Sequence, residues 1–319
     1  PPVVAPTSDA PHQPVVDLRA GMTRVDNQLN TGSCAANAVV GALEFYMAQG
    51  LAARGVPIDQ VLQASELSRL FVYYNARQLA DKTNEDCGTF IFHVMAAVMA
   101  HGACSEQSWP YIETNFAIKP PQACYDEARV VDIAGSQLHR GLTFARTTLG
   151  IASFAALTAG IPVVFGASFP GSFFHHANKT GRMPSVAEAG QPPGDGGHAM
   201  LIVGYDLNDR TWLMRNSWGY DWGDGGHARI PFDTMNAYGM PLEYWAIGTK
   251  AQFDAAKLTV GGVSLEEAAV KAREQAPQQV NDALAQLKAG LRSKINEDLA
   301  AAKKGFRDRL RGPGLGGGY

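Results

Sequence analysis

The stretch that decides the fold is QLNTGSCAANAVVGALEFYMAQ, residues 28–49, in which a glutamine precedes a cysteine by six positions. Gly32 and Ser33 predict a turn and a helix N-cap directly before Cys34. Most positions from 33 to 49 are apolar, so this segment predicts a buried helix. Cys34 is then expected in the first helical turn, where the partial positive charge of a helix N-terminus favours a thiolate.

Two further segments carry side chains that suit a cysteine nucleophile. His198 lies in GGHAMLIVGY, residues 196–205, where Gly197 allows close backbone approach and a β-rich run follows. Asn216 opens NSWGYDWGDGG, residues 216–226, and its amide oxygen suits the far N–H of an imidazole, which would fix the tautomer. Taken singly, these features also fit a core cysteine, a structural histidine and a turn packed by tryptophan.

Together these segments resemble the papain family of cysteine peptidases. The order Cys34, His198, Asn216 matches the nucleophile, the base and the asparagine that orients the base in that family. Gln28 matches the glutamine of its oxyanion hole. The resemblance covers about residues 15–250. It implies peptide-bond hydrolysis through a thioester acyl-enzyme, with a thiolate–imidazolium pair in the resting enzyme.

The resemblance also assigns residues to the substrate cleft. It implies that Trp218 and Trp222 wall the cleft, with Trp218 shielding the hydrogen bond between histidine and asparagine. It further implies that Gly88 and Gly197 line the cleft. Among the departures from the family pattern, Ala35 replaces the usual tryptophan after the nucleophile, and DCGT around Gly88 replaces a glycine pair. The resemblance therefore does not assign the residues that bind the substrate backbone along this edge.

The pattern along the chain predicts an α+β fold. Helical stretches at 65–79 and 90–101 follow the first helix. Beyond residue 160, short β-rich runs are separated by Gly, Pro, Asn and Asp; they lie at 162–167, 199–205, 211–215, 227–231 and 244–249. The family resemblance implies a two-lobe arrangement, with a helical left lobe and a β-barrel-like right lobe.

Three regions differ in composition and are predicted as separate parts. Residues 1–14 form a proline-rich lead, residues 15–250 the peptidase domain, and residues 251–319 a helical extension with a glycine-rich tail. The lead is expected either to lie across the cleft as a short inhibitory segment or to be a disordered end. Its shortness and the glycine and alanine richness resemble a bacterial member without the long pro-domain. These features favour a secreted or periplasmic location over a cytoplasmic one.

The composition restricts the classes of partner. With 46% hydrophobic residues and 18% charged residues, the chain can form a core, and its net charge of −3 argues against nucleic-acid binding. No apolar run reaches the roughly 18 residues of a membrane-spanning helix. We expect His175 and His176 in a loop, without a suitably spaced carboxylate, so no metal site is predicted. The implied chemistry needs no cofactor, and the expected partner is a protein or peptide substrate.

The cysteines and the reaction each leave alternatives. None of the four cysteines forms a C-x-x-C pair. The resemblance makes a Cys87–Cys124 bridge one alternative, and Cys104 is expected to be a buried free thiol. The first functional hypothesis is an endopeptidase, and the second uses the same three residues for acyl transfer or deamidation. The third is a binding module that works through its C-terminal helices.

Overall fold

The computed structural model describes most of the chain up to residue 260: residues 4–6, 13–130, 132–133, 136–137, 142–189, 192–194, 196–256 and 258–260. The chain divides into two units, residues 1–265 and 266–319, and all described residues belong to the first unit. Of the predicted extension, only a short helix at Lys250–Ala255 and a strand at Leu258–Val260 are described. The predicted boundary at residue 250 stays a prediction.

Helices dominate the first half of the described chain. They are α1 (Cys34–Ala53), α2 (Ile58–Ala64), α3 (Arg69–Gln78), α4 (Ile91–His101) and α5 (Gln122–Ala128), with 3-10 turns at Arg19–Gly21 and Glu113–Asn115. Every residue of α1 from Ala35 to Ala48 is buried, as its almost uniformly apolar sequence predicts. α3 and α4 pack against α1, so α1 is the central helix of this half.

The N-terminus of α1 differs from the prediction. Ser33 occupies the N-cap position, but its side chain makes no capping hydrogen bond. Its hydroxyl lies 2.6 Å from the Tyr111 hydroxyl and 2.8 Å from Thr31 Oγ1, and it accepts from Asn37 Nδ2 at 2.9 Å. The predicted capping role of Ser33 is therefore wrong, because three polar neighbours occupy the hydroxyl. These contacts tie the first turn of α1 to the segment that contains Tyr111.

Antiparallel strands dominate the second half. The strands are β1 (Val4–Pro6), β2 (Val15–Asp17), β3 (Asp132–Ile133), β4 (Ser136–Gln137), β5 (Thr143–Arg146), β6 (Val163–Ala167), β7 (His198–Asp206), β8 (Thr211–Arg215), β9 (His227–Pro231), β10 (Gly239–Gly248) and β11 (Leu258–Val260). Seven of them form one sheet in the order β5-β10-β6-β7-β8-β9, with β2 paired to β7. Among the described strands no pairing joins β5 to β9. The sheet is thus open, which corrects the β-barrel-like description of this lobe.

Further helices connect the strands: α6 (Ile151–Thr158), α7 (Gly171–Thr180), α8 (Val186–Ala189), α9 (Phe232–Tyr238) and α10 (Lys250–Ala255). The sequence patterns missed α2, α5, α6, α7, α8 and α9. His175 and His176 lie within α7, so the loop predicted for them is wrong. The helix predicted at 65–79 is present as α3, but it begins only at Arg69, where Ser68 Oγ accepts a hydrogen bond from the Phe71 N–H and caps the helix.

Packing of α1 against β7 positions the functional site. The two elements are in direct contact, and the apolar side chains of both lie in one core cluster. Since Cys34 begins α1 and His198 begins β7, the two side chains meet where the helical half joins the sheet. No helix among the described residues is long and apolar enough to cross a membrane.

The predicted inhibitory lead, residues 1–14, lies largely outside the described residues. Of it, β1 pairs antiparallel with β11, with Val4 opposite Val260. None of the described residues of the lead lines the cavity beside Cys34. The inhibitory role stays a prediction.

Candidate active site

The structure brings Cys34, His198 and Asn216 into one hydrogen-bonded row. The Cys34 thiol and the His198 imidazole are hydrogen-bonded. His198 Nε2 lies 2.9 Å from Asn216 Oδ1, and because an amide oxygen can only accept, Nε2 is the donor. The other ring nitrogen, Nδ1, is therefore the one that is hydrogen-bonded to the thiol. This tautomer leaves a lone pair or a second proton on the side that faces sulfur, as acid–base chemistry there requires.

The charges of this row favour an ion pair. Burial opposes ionisation of the Cys34 thiol, but hydrogen bonding and charge interaction with His198 outweigh it and lower the pKa of Cys34 below its ordinary value. The backbone N–H groups of Ala199 and Ala35 add to this lowering. Burial likewise opposes protonation of His198, and the Cys34 and Asn216 side chains outweigh it and raise the pKa of His198. A lowered thiol pKa and a raised imidazole pKa together favour a thiolate beside an imidazolium.

Gln28 is held with its amide in one orientation. Its Oε1 accepts a hydrogen bond from Ser217 Oγ at 2.6 Å, and its Nε2 donates to the Thr31 carbonyl at 2.8 Å. The Gln28 backbone N–H also donates to the Ser217 carbonyl at 2.7 Å. Gln28 lines the same cavity as Cys34, and the second N–H of its Nε2 has no partner among the described residues. The sequence reasoning missed Ser217, although it is the second residue of the NSWG motif.

Aromatic rings enclose the contact between His198 and Asn216. The Trp218 ring stacks on the His198 ring with centroids 5.0 Å apart and an angle of 28°. Phe174 packs edge-on against His198 at 5.5 Å and contacts Trp218 at 4.8 Å. Trp222 stands edge-on to Trp218 at 5.5 Å and is buried. Phe174 was missed because it comes from α7, which carries no motif.

The thiol and imidazole open into a cavity of about 710 Å³. Gly88, Gly197 and Gln28 line this cavity. Trp218 and Trp222, also predicted to line the cleft, are not among the lining residues. They belong to the aromatic cluster around the imidazole, and their role as cleft walls stays a prediction.

One edge of the cavity is built where two glycine-containing loops meet. A Cβ added to Gly32 would lie 2.7 Å from the Gly88 backbone nitrogen, so no larger residue fits at position 32 without movement. Gly88 itself has φ of +73°, which favours glycine. Asp86 joins the loops, because its Oδ1 accepts from the Gly32 N–H at 2.9 Å and from the Tyr73 hydroxyl at 2.6 Å. The unusual DCGT segment thus supports the loop that precedes the nucleophile.

A buried polar network anchors β8, the strand that ends directly before Asn216. Arg215 donates to the carbonyls of Thr23 and Arg24, each at 2.6 Å. Glu44, in the middle of α1, accepts from Thr23 Oγ1 at 2.8 Å and from the Leu67 N–H at 2.9 Å. The network links α1 to the end of β8. It therefore fixes the position of the asparagine relative to the helix that carries the thiol.

The remaining cysteines are free. Cys87 is exposed, whereas Cys104 and Cys124 are buried and their thiols are hydrogen-bonded to each other. The Cys87–Cys124 bridge considered from the resemblance is therefore not formed, since Cys124 faces Cys104 instead. Cys104 is a buried free thiol, as predicted. Within the described part of the chain, no three His, Cys, Asp or Glu side chains cluster in a way that could hold a metal ion.

Comparisons with known proteins agree with this geometry. The chain is 32% identical over 241 residues to a peptidase C1-like protein of Acanthamoeba polyphaga mimivirus, covering 73% of this chain and 72% of that protein. It is 28% identical over 229 residues to procathepsin L of Rattus norvegicus, covering 69% of this chain and 60% of the relative. It thus spans about three fifths of the length of that curated relative.

Solved structures and a sequence model of a protein family also match this chain. Xylellain, a cysteine protease from Xylella fastidiosa, superimposes with a TM-score of 0.62 at 28% identity, covering 77% of this chain and 91% of xylellain. A procathepsin L of Tenebrio molitor has a TM-score of 0.53 at 19% identity, which supports the fold alone. The sequence model described as papain family cysteine protease matches residues 12–246. The chain therefore belongs to the papain family of cysteine proteases, which are hydrolases.

Proposed function

We propose that this chain is an endopeptidase in which Cys34 is the nucleophile, His198 the acid and base, and Asn216 the residue that orients the imidazole. The observation that supports this assignment is the hydrogen-bonded row of these three side chains at one wall of an open cavity. We further propose a protein or peptide as substrate and residues 15–250 as the peptidase domain. The reaction uses only side chains and backbone groups of the chain and a water molecule.

In the first half of the reaction, the Cys34 thiolate attacks the scissile carbonyl carbon and forms a C–S bond. The carbonyl oxygen becomes an oxyanion, which the free Gln28 N–H and the Cys34 backbone N–H stabilise. His198 then gives its proton to the leaving amine as the C–N bond breaks, and a thioester remains. Loss of one oxyanion donor typically costs about 2.7–4 kcal/mol, so Gln28→Ala is expected to lower kcat by roughly a hundredfold to a thousandfold.

In the second half, water hydrolyses the thioester. Neutral His198 removes a proton from the water molecule as its oxygen attacks the thioester carbon. The C–S bond breaks, Cys34 leaves as a thiolate, and the imidazolium that has formed restores the ion pair. The Asn216 hydrogen bond keeps the ring in one orientation through both proton transfers.

Thiol labelling tests the assignment directly. The full chain is treated with an epoxide that alkylates active-site thiols, and the adduct is located by mass spectrometry. We expect an adduct on Cys34 that disappears in Cys34→Ala and forms far more slowly in His198→Ala. Cys87→Ala is the matched control, because Cys87 is exposed and lines the same cavity. Labelling of Cys87 in preference to Cys34, or labelling that does not depend on His198, would contradict the proposal.

Product analysis decides between hydrolysis and the other uses of the same site. Peptide cleavage is followed by mass spectrometry with and without an added amine acceptor. We expect free carboxyl termini as the main products in both cases. Amine-linked products that dominate over hydrolysis would instead identify an acyltransferase, and a mass gain of a deamidated side chain without cleavage would identify a deamidase.

We also propose that the lead, residues 1–14, restrains the peptidase. The support is its proline-rich sequence, which loses little entropy when it becomes ordered. Removal of residues 1–13 is expected to raise kcat/KM for a peptide substrate. Equal activity of the two forms would mean that the lead does not restrain the enzyme.

A further inference from the structure

Two cysteines lie side by side in the helical half, outside the active-site cavity. Cys104 follows α4 and Cys124 lies in α5, and their thiols are hydrogen-bonded to each other. Neither residue lines the cavity beside Cys34. Both side chains are buried, with 0% of Cys104 and 2% of Cys124 exposed. The two sulfur atoms are therefore in direct contact inside the protein.

The backbone around these cysteines is held in place by other contacts. Glu127 and Ala128 follow Cys124 by three and four positions, so the three residues share one face of α5. The Ser105 N–H donates to Glu127 Oε1 at 3.0 Å. A Cβ at Gly102 would lie 2.3 Å from the Ala128 carbonyl oxygen, so the chain approaches α5 as closely as a glycine allows. The contact between the sulfurs is thus supported by packing on both sides of it.

Burial restricts what these thiols can do. It raises the pKa of both Cys104 and Cys124, so each remains a protonated thiol in the folded chain. A thiol must ionise before it attacks a disulfide, so exchange takes place while this region is locally open. Once the region closes, the buried sulfurs have no space for a bulky adduct. The oxidised product that fits the observed packing is a bond between the two sulfurs, which needs a separation of about 2 Å.

We propose that Cys104 and Cys124 form a disulfide under oxidising conditions, and that this bridge holds residues 105–123 against the helical half. The oxidant is a low-molecular-weight disulfide of the glutathione type. One cysteine thiolate attacks it, forms a mixed disulfide and releases one thiol. The second cysteine then attacks the mixed disulfide at the protein sulfur, forms the Cys104–Cys124 bond and releases the second thiol. The two cysteines lose two protons and two electrons, and the oxidant gains both.

The segment that the bridge closes supports the turn before the nucleophile. It contains Tyr111, whose hydroxyl donates to the Gln28 carbonyl at 2.9 Å and lies 2.6 Å from Ser33 Oγ. The Cys104 carbonyl accepts from the Ser68 N–H at 2.8 Å, which attaches the start of the segment to the cap of α3. α5 holds the other end. A bridge here closes a loop of about 20 residues, and a closed loop of this length restricts the unfolded chain.

Thiol counting tests whether the bridge forms. The full chain with Cys34→Ala and Cys87→Ala keeps only Cys104 and Cys124 as cysteines. It is incubated with reduced and oxidised glutathione, then unfolded in urea with an alkylating reagent and weighed by mass spectrometry. We expect no alkyl group and a mass about 2 Da below that of the unalkylated reduced chain. Digestion should give one linked pair of peptides that contains both cysteines.

Two outcomes of this experiment would overturn the proposal. One is a chain that takes up two alkyl groups, and the other is glutathione attached to either sulfur in place of the bridge. The matched control carries Cys34→Ala and Cys104→Ala, and therefore keeps the exposed Cys87 and the buried Cys124. We expect no bridge in this control. A bridge between Cys87 and Cys124 would contradict the pairing inferred from the packing.

Thermal unfolding tests whether the bridge holds the segment. The bridged and the reduced forms of the Cys34→Ala, Cys87→Ala chain are compared, so the sequence is the same in both. We expect reduction to lower Tm by about 6–12 °C and to speed hydrogen exchange in residues 105–123 more than in β7. Reductant should leave the Tm of the Cys34→Ala, Cys104→Ala control unchanged. An equal Tm and equal exchange in the two forms would overturn the role of the bridge.

The outcome is independent of the proposed function. Both measurements use a chain without the Cys34 thiol, so they give the same answer whether or not the wild-type chain cleaves peptides. Failure of the bridge would leave the assignment of Cys34, His198 and Asn216 untouched, and failure of that assignment would leave the bridge untouched.

Discussion

The hydrogen bond from Ser217 to Gln28 makes a sharp prediction about the oxyanion site. Gln28 can present its N–H to the cavity only if its amide keeps the observed orientation, with Oε1 on Ser217 and Nε2 on Thr31. Ser217→Ala removes the contact that distinguishes the two ends of the amide. The Thr31 contact remains, so part of the orientation is kept.

The expected size follows from the two hydrogen bonds. A neutral hydrogen bond contributes about 0.5–1.5 kcal/mol, whereas loss of the whole oxyanion donor costs about 2.7–4 kcal/mol. Ser217→Ala should therefore lower kcat by about tenfold, well short of the effect of Gln28→Ala. KM should change little, because the donor acts on the oxyanion and not on the bound peptide.

A double-mutant cycle measured by steady-state kinetics tests whether Ser217 affects kcat through the Gln28 amide. In a Gln28→Ala background, Ser217→Ala should have almost no further effect on kcat, since it acts through the missing amide. Ser65→Ala is the matched control, because its buried hydroxyl makes a 2.7 Å hydrogen bond to the Val61 carbonyl and lies outside the site. Additive effects of Ser217→Ala and Gln28→Ala would refute the positioning argument, as would an equal loss of kcat in Ser65→Ala.

Three further predictions concern pH, the histidine orienter and backbone packing. Burial, reinforced by the charge of Arg215, lowers the pKa of His227 from 6.5 to about 4, so folding stability should fall by about 3 kcal/mol as pH drops from 8 to 4; urea unfolding should show a weaker fall in His227→Asn. Asn216→Ala should lower kcat/KM by about tenfold to a hundredfold. It should also shift the alkaline limb of the pH profile to lower pH, because the Asn216 hydrogen bond raises the imidazole pKa in the wild type and its loss lowers that pKa; an unshifted limb would contradict this role. Gly204→Ala should destabilise the fold by about 1–3 kcal/mol in thermal unfolding, since its Cβ would lie 2.2 Å from a backbone oxygen of β2, whereas Gly171→Ala meets no atom within 4 Å and should be tolerated.

Features set by local sequence were predicted well. The apolar run after Cys34 gives α1, and the β-rich runs at 211–215 and 227–231 coincide with β8 and β9. In each case one stretch of chain carries its own signal, either continuous burial or a β-branched and aromatic run between turn residues. Cys34, His198 and Asn216 could also be identified from the sequence as candidates, because each residue lies in a motif with distinctive neighbours.

Features set by distant contacts were not predictable from such patterns. The Ser33 hydroxyl is taken up by Tyr111, which is far away along the chain, so a local capping rule fails there. Phe174 reaches the imidazole from α7, a helix that carries none of the motifs around Cys34, His198 and Asn216. The position of Glu243 on the cavity wall depends on a register shift in β10 and on the absence of a side chain at Gly166, and neither leaves a periodic signal in the sequence.

Burial opposes the charge on Cys34 and on His198 alike. The two side chains relieve that penalty for each other, so removing either one leaves the other without its stabilising charge. The reactivity of the Cys34 thiol therefore depends on the same pairing that stabilises the charge of the imidazole.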